Sequence, residues 1–344
     1  MHRIDRIALL PLLLLAAACG GGGDGGKQTL TVYSPHGREM LEAFEKRFEA
    51  AHPDIDLQYV DMGSQEVFDR IRSERANPQA DVWWGAPAAL FEQAARDGLL
   101  EAFAPTWAGA LPADARDPEG MWYGTYLTPE VIAFNSTAVP PDQAPRDWDD
   151  VLDPRWKDKV LIRDPMASGT MRTIFGMVMH RSIAATGDTA QGYAWLRRLD
   201  ANTREYVLNP TMLYQKLARQ EGVVTLWDMP DMEIIKKQYP MLDYVIPASG
   251  TPLLVDAVAV VKGAKNADAA RTFVEWVGGT PAVAAAARDY FRLPARGDFP
   301  ADSLPERLRA ARERIKPEPL DWNMLQERGT EWMRHWDEHV RNRS

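Results

Sequence analysis

Cysteine is nearly missing from this chain: its 344 residues contain one, Cys19, so no disulfide within the chain can staple the fold. A surplus of positive charge is missing too. Lysine and arginine number 40 against 49 aspartates and glutamates, a formal net charge of −9, and no basic stripe interrupts that balance, which argues against a nucleic-acid partner. No apolar run reaches the roughly 20 residues of a membrane-spanning helix. The best, Ile7 to Leu15, is short and broken by Pro11. No repeat of solenoid period, no G-x-S-x-G serine motif and no P-loop occurs, so those architectures and chemistries drop out. Adjacent tyrosines, a pair of hard oxygen donors, are absent as well. One zinc-protease pattern does occur, His335-Trp336-Asp337-Glu338-His339, and a charged, solvated terminal helix accounts for it.

The amino terminus carries Arg3 and Arg6, the short apolar run, and then Leu15-Ala16-Ala17-Ala18-Cys19. That order reads as a signal peptide, and the residues before Cys19 resemble the lipobox of bacterial lipoproteins. Gly20 to Gly26, interrupted only by Asp24, behaves as a flexible coil suited to tethering a lipidated residue to a folded body. The resemblance implies cleavage before Cys19, acylation of its thiol, and a periplasmic or cell-surface location on a membrane.

Beyond the tether, strand and helix patterns alternate. Leu30 and Val32 read as a strand, Met40, Leu41, Phe44 and Phe48 as a helical stripe, and Ile55, Leu57 and Tyr59 as a second strand. Ser64 is placed to cap the next helix, Ala80 to Trp84 forms a third strand, and Pro87 opens a further helix. This βαβαβα order predicts a parallel sheet flanked by helices, whose ligands bind beyond the carboxyl ends of the strands. Those ends are Ser34-Pro35-His36-Gly37, Met62-Gly63-Ser64 and Trp83-Trp84-Gly85. An extended run from Gly124 to Asn135 reads as a first crossing into a second α/β unit, and Asp243 to Val261 as the return.

Four segments, Leu30 to Phe48, Trp148 to Thr170, Asp256 to Trp276 and Phe291 to Arg296, together resemble the type 2 periplasmic-binding-protein family. The resemblance is to its ferric-iron, phosphonate and sugar-phosphate binding branch. It implies two lobes, each a mainly parallel sheet flanked by helices, joined by crossover strands and closing on a solute. The implied division is 28–126 with 257–344 as the first lobe and 127–256 as the second, hinge strands at its ends, after a signal peptide at 1–18 and a tether at 19–27.

In the cleft so implied, Ser168-Gly169-Thr170 stands at a strand-to-helix turn, where amide groups and the helix dipole suit an anion; a plain helix cap is the other reading. Ser34, His36 and Gly37 face the same choice at the first helix, and Ser64 at the second. Asp228 either reads the distal end of the solute or caps the helix through Ile234 and Ile235. Trp83, Trp84 and Trp227 either stack on the solute or belong to the core. Thr128 and Asp256, on the two crossings, complete the candidate set. The expected protein is a monomeric receptor without cofactor, resident metal or turnover, serving an ABC permease and taking a small anionic solute such as a phosphonate or organic phosphate. Ferric iron and a secreted hydrolase are the alternatives.

Overall fold

A computed structural model describes residues 27–342; the signal segment, Cys19 and nearly all of the tether lie outside them. The first lobe opens with β1 (Gln28–Ser34), α1 (Arg38–Ala51), β2 (Ile55–Asp61), α2 (Ser64–Ser73), β3 (Val82–Pro87), α3 (Ala88–Arg96) and the short β4 (Leu100–Glu101). A 13-residue strand, β5 (Tyr123–Asn135), leads out of it. The second lobe contains β6 (Val160–Arg163), α4 (Gly169–Thr186), α5 (Ala190–Asn202), β7 (Thr203–Val207), α6 (Pro210–Ala218), β8 (Val224–Asp228), α7 (Met229–Gln238) and β9 (Leu242–Val245). β10 (Leu253–Val261) returns, followed by α8 (Ala267–Val277), α9 (Thr280–Tyr290), β11 (Leu293–Pro294), α10 (Glu306–Arg314) and α11 (Trp322–His339). No helix among the described residues is long and apolar enough to cross a membrane.

The helical stripe of α1 buries Met40, Leu41, Phe44 and Phe48, one face at a period near 3.6 residues. β3 is buried along all six residues because it lies between β1 and β10 and under helices on both faces. In each lobe the inner strands are parallel, β2-β1-β3 in the first and β8-β6-β7 in the second. The crossover strands β5 and β10 add to them antiparallel.

β5 serves both sheets. Tyr123 to Pro129 pairs with β10, and from Glu130 onward the same strand pairs with β8 and β9. The chain therefore changes sheet between Pro129 and Glu130 and returns near Pro252–Leu253, a few residues from the expected boundaries at 127 and 257. Proline fits there because it has no amide to give to either ladder. Two bonds fasten the crossing: Glu130 N–H donates to Pro252 O at 3.3 Å, and Thr251 Oγ1 donates to Glu130 O at 2.6 Å.

The expected assignment of all of 257–344 to the first lobe needs correction. Residues of α8 pack with β1, α1 and β3, but Leu304, Leu308, Ala311, Trp332, Met333 and Trp336 join the core built on β6, β8 and α4. The reason is the apolar face of α4, which is buried on nearly every side and leaves a surface that α11 covers. Trp336 sits edge-on to Phe175 at 5.4 Å and to Tyr206 at 5.1 Å. Arg341, beyond the helix end, donates to Asp164 at 3.0 Å. α11 also reaches the first lobe, where Gln326 Nε2 donates to Ala89 O at 2.7 Å.

Trp336→Ala should cost about 3–5 kcal/mol of stability, the range for emptying a large buried aromatic site. Chemical denaturation followed by circular dichroism measures it; a loss below about 1 kcal/mol would mean that α11 is peripheral to the core.

Candidate ligand cleft between the lobes

The crossing strands place a cluster of buried polar groups at the base of the cleft. On β5, residues 126, 128 and 130 share one face by strand alternation. Thr128 Oγ1 donates a short hydrogen bond to Asp256 Oδ2 on β10. Arg292 reaches the same point from the end of α9, which terminates in the left-handed conformation at Phe291, φ 54°. Its Nη1 donates to Thr128 Oγ1 at 3.2 Å and lies 4.0 Å from Asp256. Its Nη2 donates to Asp231 Oδ1 at 3.2 Å.

The second lobe contributes the end of β8 and the start of α7. Asp228 caps α7, its Oδ1 accepting the Asp231 amide at 3.0 Å. The Tyr214 hydroxyl donates to Asp231 Oδ2 at 2.8 Å and accepts from Trp227 Nε1 at 2.9 Å. Glu130, directly opposite Asp228 in the β5–β8 register, is fully buried with neither carboxyl oxygen hydrogen-bonded. Burial, reinforced by Asp228, Asp256 and Asp231, pushes the Glu130 carboxyl well above the ordinary range. Burial and Asp231 do the same to Asp228, and burial raises Asp256 despite Arg292 beside it. Burial opposes the charge of Arg292, but Asp231, Asp256 and Asp228 outweigh it and hold the guanidinium charged.

The upper walls are helix starts. Ser168 caps α4 through Oγ, which accepts the Met171 amide at 3.3 Å. That leaves the amides of Gly169 and Thr170 in the first turn without intrahelical acceptors. The lobes meet beside this turn. A Cβ on Gly169 would lie 2.9 Å from Pro87 Cδ, and one on Gly63 would lie 2.8 Å from Ala167 O, so glycine at both positions permits the approach.

This architecture has counterparts among known proteins. The family described as bacterial extracellular solute-binding protein matches residues 77–328. This chain belongs to that family. The solute-binding protein is 28% identical over 318 residues to a probable ABC transporter periplasmic-binding protein of Sinorhizobium fredii, covering 91% of this chain and 87% of the relative. Among solved structures it resembles the periplasmic binding protein AfuA of Actinobacillus pleuropneumoniae with fructose 6-phosphate bound. That similarity has TM-score 0.80 and 24% identity, and covers 92% and 99% of the two chains. It also resembles the ferric binding protein of Campylobacter jejuni, with TM-score 0.75 and 19% identity, covering 90% and 98%. The two-lobed fold expected from the sequence is thus shown, as is a periplasmic solute-binding component of an ABC transporter.

Within the solute-binding protein, Thr128, Asp228 and Asp256 converge at the base of the cleft. Ser168, Gly169 and Thr170 stand at the start of α4. Ser34, at the end of β1, accepts the His36 amide at 3.3 Å. Gly37 takes φ +78° at the start of α1, and burial raises the carboxyl of Asp61 at the end of β2. His36 is held neutral, since burial and then Arg292 lower its pKa well below the ordinary value. A Cβ on Gly85, φ +90°, would lie 2.7 Å from His36 Nε2, so only glycine leaves room for the imidazole.

Several expectations change. Trp84 is 1% exposed and packs edge-on beneath His36 at 4.6 Å, so it supports that ring from the core and offers no stacking face. Trp83 is stacked on Phe91 at 3.9 Å, on the opposite side of β3. Trp227 is tied into the Tyr214–Asp231 network. Ser64 is the first residue of α2 and Gly63 its cap, while Pro87 caps α3 one residue before the helix. Arg292, Glu130, Asp231 and Tyr214 are the cleft residues that the sequence patterns did not single out. Glu130 alone carried a signal: a charged residue within an apolar extended run is rarely buried unless something pairs with it.

The raised carboxyls fix a pH dependence. Above the ordinary carboxyl range the folded chain holds more protons than the unfolded one, so this contribution to stability is present at low pH and is lost as pH rises through the raised values. Glu130→Gln removes one such group. Solute-free wild type should therefore lose more stability than the variant between roughly pH 5 and pH 8. Denaturation midpoints across that range measure the difference; parallel curves would show that Glu130 titrates normally.

Proposed function

We propose that this protein captures a small phosphate- or phosphonate-bearing solute between its lobes and delivers it to the permease of an ABC importer. The observation that carries the reading is the pairing of the α4 start, whose first amides have no intrahelical acceptors, with Arg292 and four carboxyl groups at the crossing strands. The anion rests on the Gly169 and Thr170 amides and the Ser168 and Thr170 hydroxyls, where the α4 dipole favours negative charge. Hydroxyl or ammonium groups of the same solute meet Asp228 and its neighbours. Closure follows when the same solute also reaches the first lobe, at Ser34 and Gly37 before α1, because a ligand that touches both lobes binds the closed state better than the open one. Members of the family work in this way with a membrane permease, without turnover.

The likeness to a ferric binding protein keeps iron as a cargo to be weighed. Trivalent iron favours hard, deprotonated oxygen donors. Here Leu226-Trp227-Asp228-Met229 runs along the end of β8, with no tyrosine pair. Burial pushes both phenols nearest the cluster upward: at Tyr126 it outweighs Arg292, and at Tyr214 Asp231 and Asp228 reinforce it. Such phenols resist forming the phenolate that iron requires.

Native mass spectrometry of protein purified from its own host should show a retained, unaltered phosphorus-containing solute. Ser168→Ala or Thr170→Ala should weaken its binding by roughly tenfold or more, the size of one or two charge-assisted hydrogen bonds. Unchanged affinity in both variants by calorimetry would reduce the turn to a helix cap. Retention of iron instead, with no phosphorus, would select the other cargo.

We further propose that Cys19 is the first residue of the mature protein and is acylated, holding the receptor at a membrane by its acyl chains. Cys19→Ala should yield soluble or uncleaved protein. Intact mass of wild-type protein from its host, without an acyl adduct, would defeat the assignment.

A further inference from the structure

Two neighbouring residues of α11 touch different lobes. Leu325 belongs to the second-lobe core with Trp332, Met333 and Trp336. It is seated on α4 at Gly176, where an added Cβ would lie 3.0 Å from Leu325 Cγ and Cδ2. Gln326, the next residue, turns to α3 of the first lobe and uses both ends of its amide there. Its Nε2 donates to Ala89 O at 2.7 Å, and its Oε1 accepts from Arg96 Nη1 at 2.5 Å. This adds a connection between the lobes to those made by the crossing strands and Arg292.

Apolar packing does not make the same link. Phe91 and Ala94 of α3 belong to the first-lobe core. Between α3 and α4 lies a cavity of ≈ 70 Å³, lined by Gln65, Pro87, Leu90 and Gln93 from the first lobe and by Arg172 and Trp322 from the second. Surfaces that leave a gap instead of interdigitating can part without tearing a common core, so the polar contacts of Gln326 carry the attachment at this edge. Ala89 is the second residue of α3 and follows closely on Pro87, against which Gly169 of α4 lies. Drawing the helix starts of the two lobes apart would therefore pull Ala89 away from α11.

We propose that Gln326 is a positioning residue for solute capture: it clasps α3 to α11 in the closed arrangement, lets go when the cleft opens, and so sets how much of the protein is closed before solute arrives. The inference rests on lobe closure as the proposed function describes it, and it holds for whichever solute is bound. A residue that touches solute changes affinity for one ligand more than for another. A clasp changes the closed fraction, and the apparent affinity for every solute scales with that fraction.

Hydrogen exchange followed by mass spectrometry on solute-free protein tests this at the two helix starts, residues 87–93 and 167–173. Gln326→Met keeps the length of the side chain and removes its donor and acceptor. Exchange in both segments should accelerate at least about threefold, the effect of losing one or two hydrogen bonds between the lobes, while α5 is unchanged. Arg96→Ala, a change on the first lobe, should act in the same direction, and the double variant should do no more than Gln326→Met alone. In calorimetry with inorganic phosphate and with fructose 6-phosphate, Gln326→Met should weaken whichever probes bind by one common factor of about threefold or more. Unchanged exchange at the helix starts in both single variants, or a loss of affinity for one binding probe but not the other, would overturn the clasp and leave the anion site standing. If Gln326→Met loosens the whole of α11 and α4, Arg96→Ala decides, because it alters neither helix. Failure of wild-type protein to bind either probe would count against the proposed solute class, and the exchange result would still decide the clasp.

Discussion

The guanidinium of Arg292 is the contact on which the cleft depends. Burying a cation is costly unless its charge and donors are matched, and here the matching groups come from three places in the chain. Thr128 lies on the outgoing crossover strand, Asp256 on the returning one, and Asp231 on the first turn of a second-lobe helix. The left-handed turn at Phe291 ends α9 one residue earlier and so aims Arg292 inward instead of letting the helix continue past the cleft. A residue far along the sequence thus joins both lobes at the point where the chain crosses between them.

The crossing has a physical form. β5 is continuous, yet its partner strands change between Pro129 and Glu130, so bending there perturbs little of either ladder. The lobes already meet closely, Gly169 against Pro87 and Gly63 against Ala167, and on the proposed reading closure brings the α4 start against the first lobe. A ligand alters this equilibrium only by its difference in affinity for the two states. Groups that touch solute from one lobe alone would tighten binding without closing the protein.

Much of the scaffold was legible because periodicity and element order are local. The stripe at Met40, Leu41, Phe44 and Phe48, the buried run at Val82 to Trp84 and the long extended segment at the first crossing all appear where the patterns put them. Ser168 likewise caps α4 after β6 and Asp228 ends β8, the strand-to-helix positions that the element order gives. The tertiary pairing was not legible. Whether Trp84 faces cleft or core depends on which side of β3 His36 occupies, and the docking of α11 on the second lobe depends on an apolar α4 surface that no linear pattern assigns to a partner. Arg292 stayed hidden for the same reason: its signal is the meeting of three distant acids and a threonine.

The electrostatic arrangement also limits what a solute can be. On the proposed reading the α4 start favours negative charge and the carboxyl groups at the crossing strands disfavour it, so a symmetric anion with charge at both ends would meet repulsion in either orientation. An uncharged molecule would leave the α4 amides without the partner they favour. A solute with unlike ends satisfies both, and it can enter the closed state in only one orientation. Orientation of this kind gives selectivity through mismatch as well as through contact: reversing the solute would set its anion against Glu130 and Asp228, in surroundings with little water to screen them.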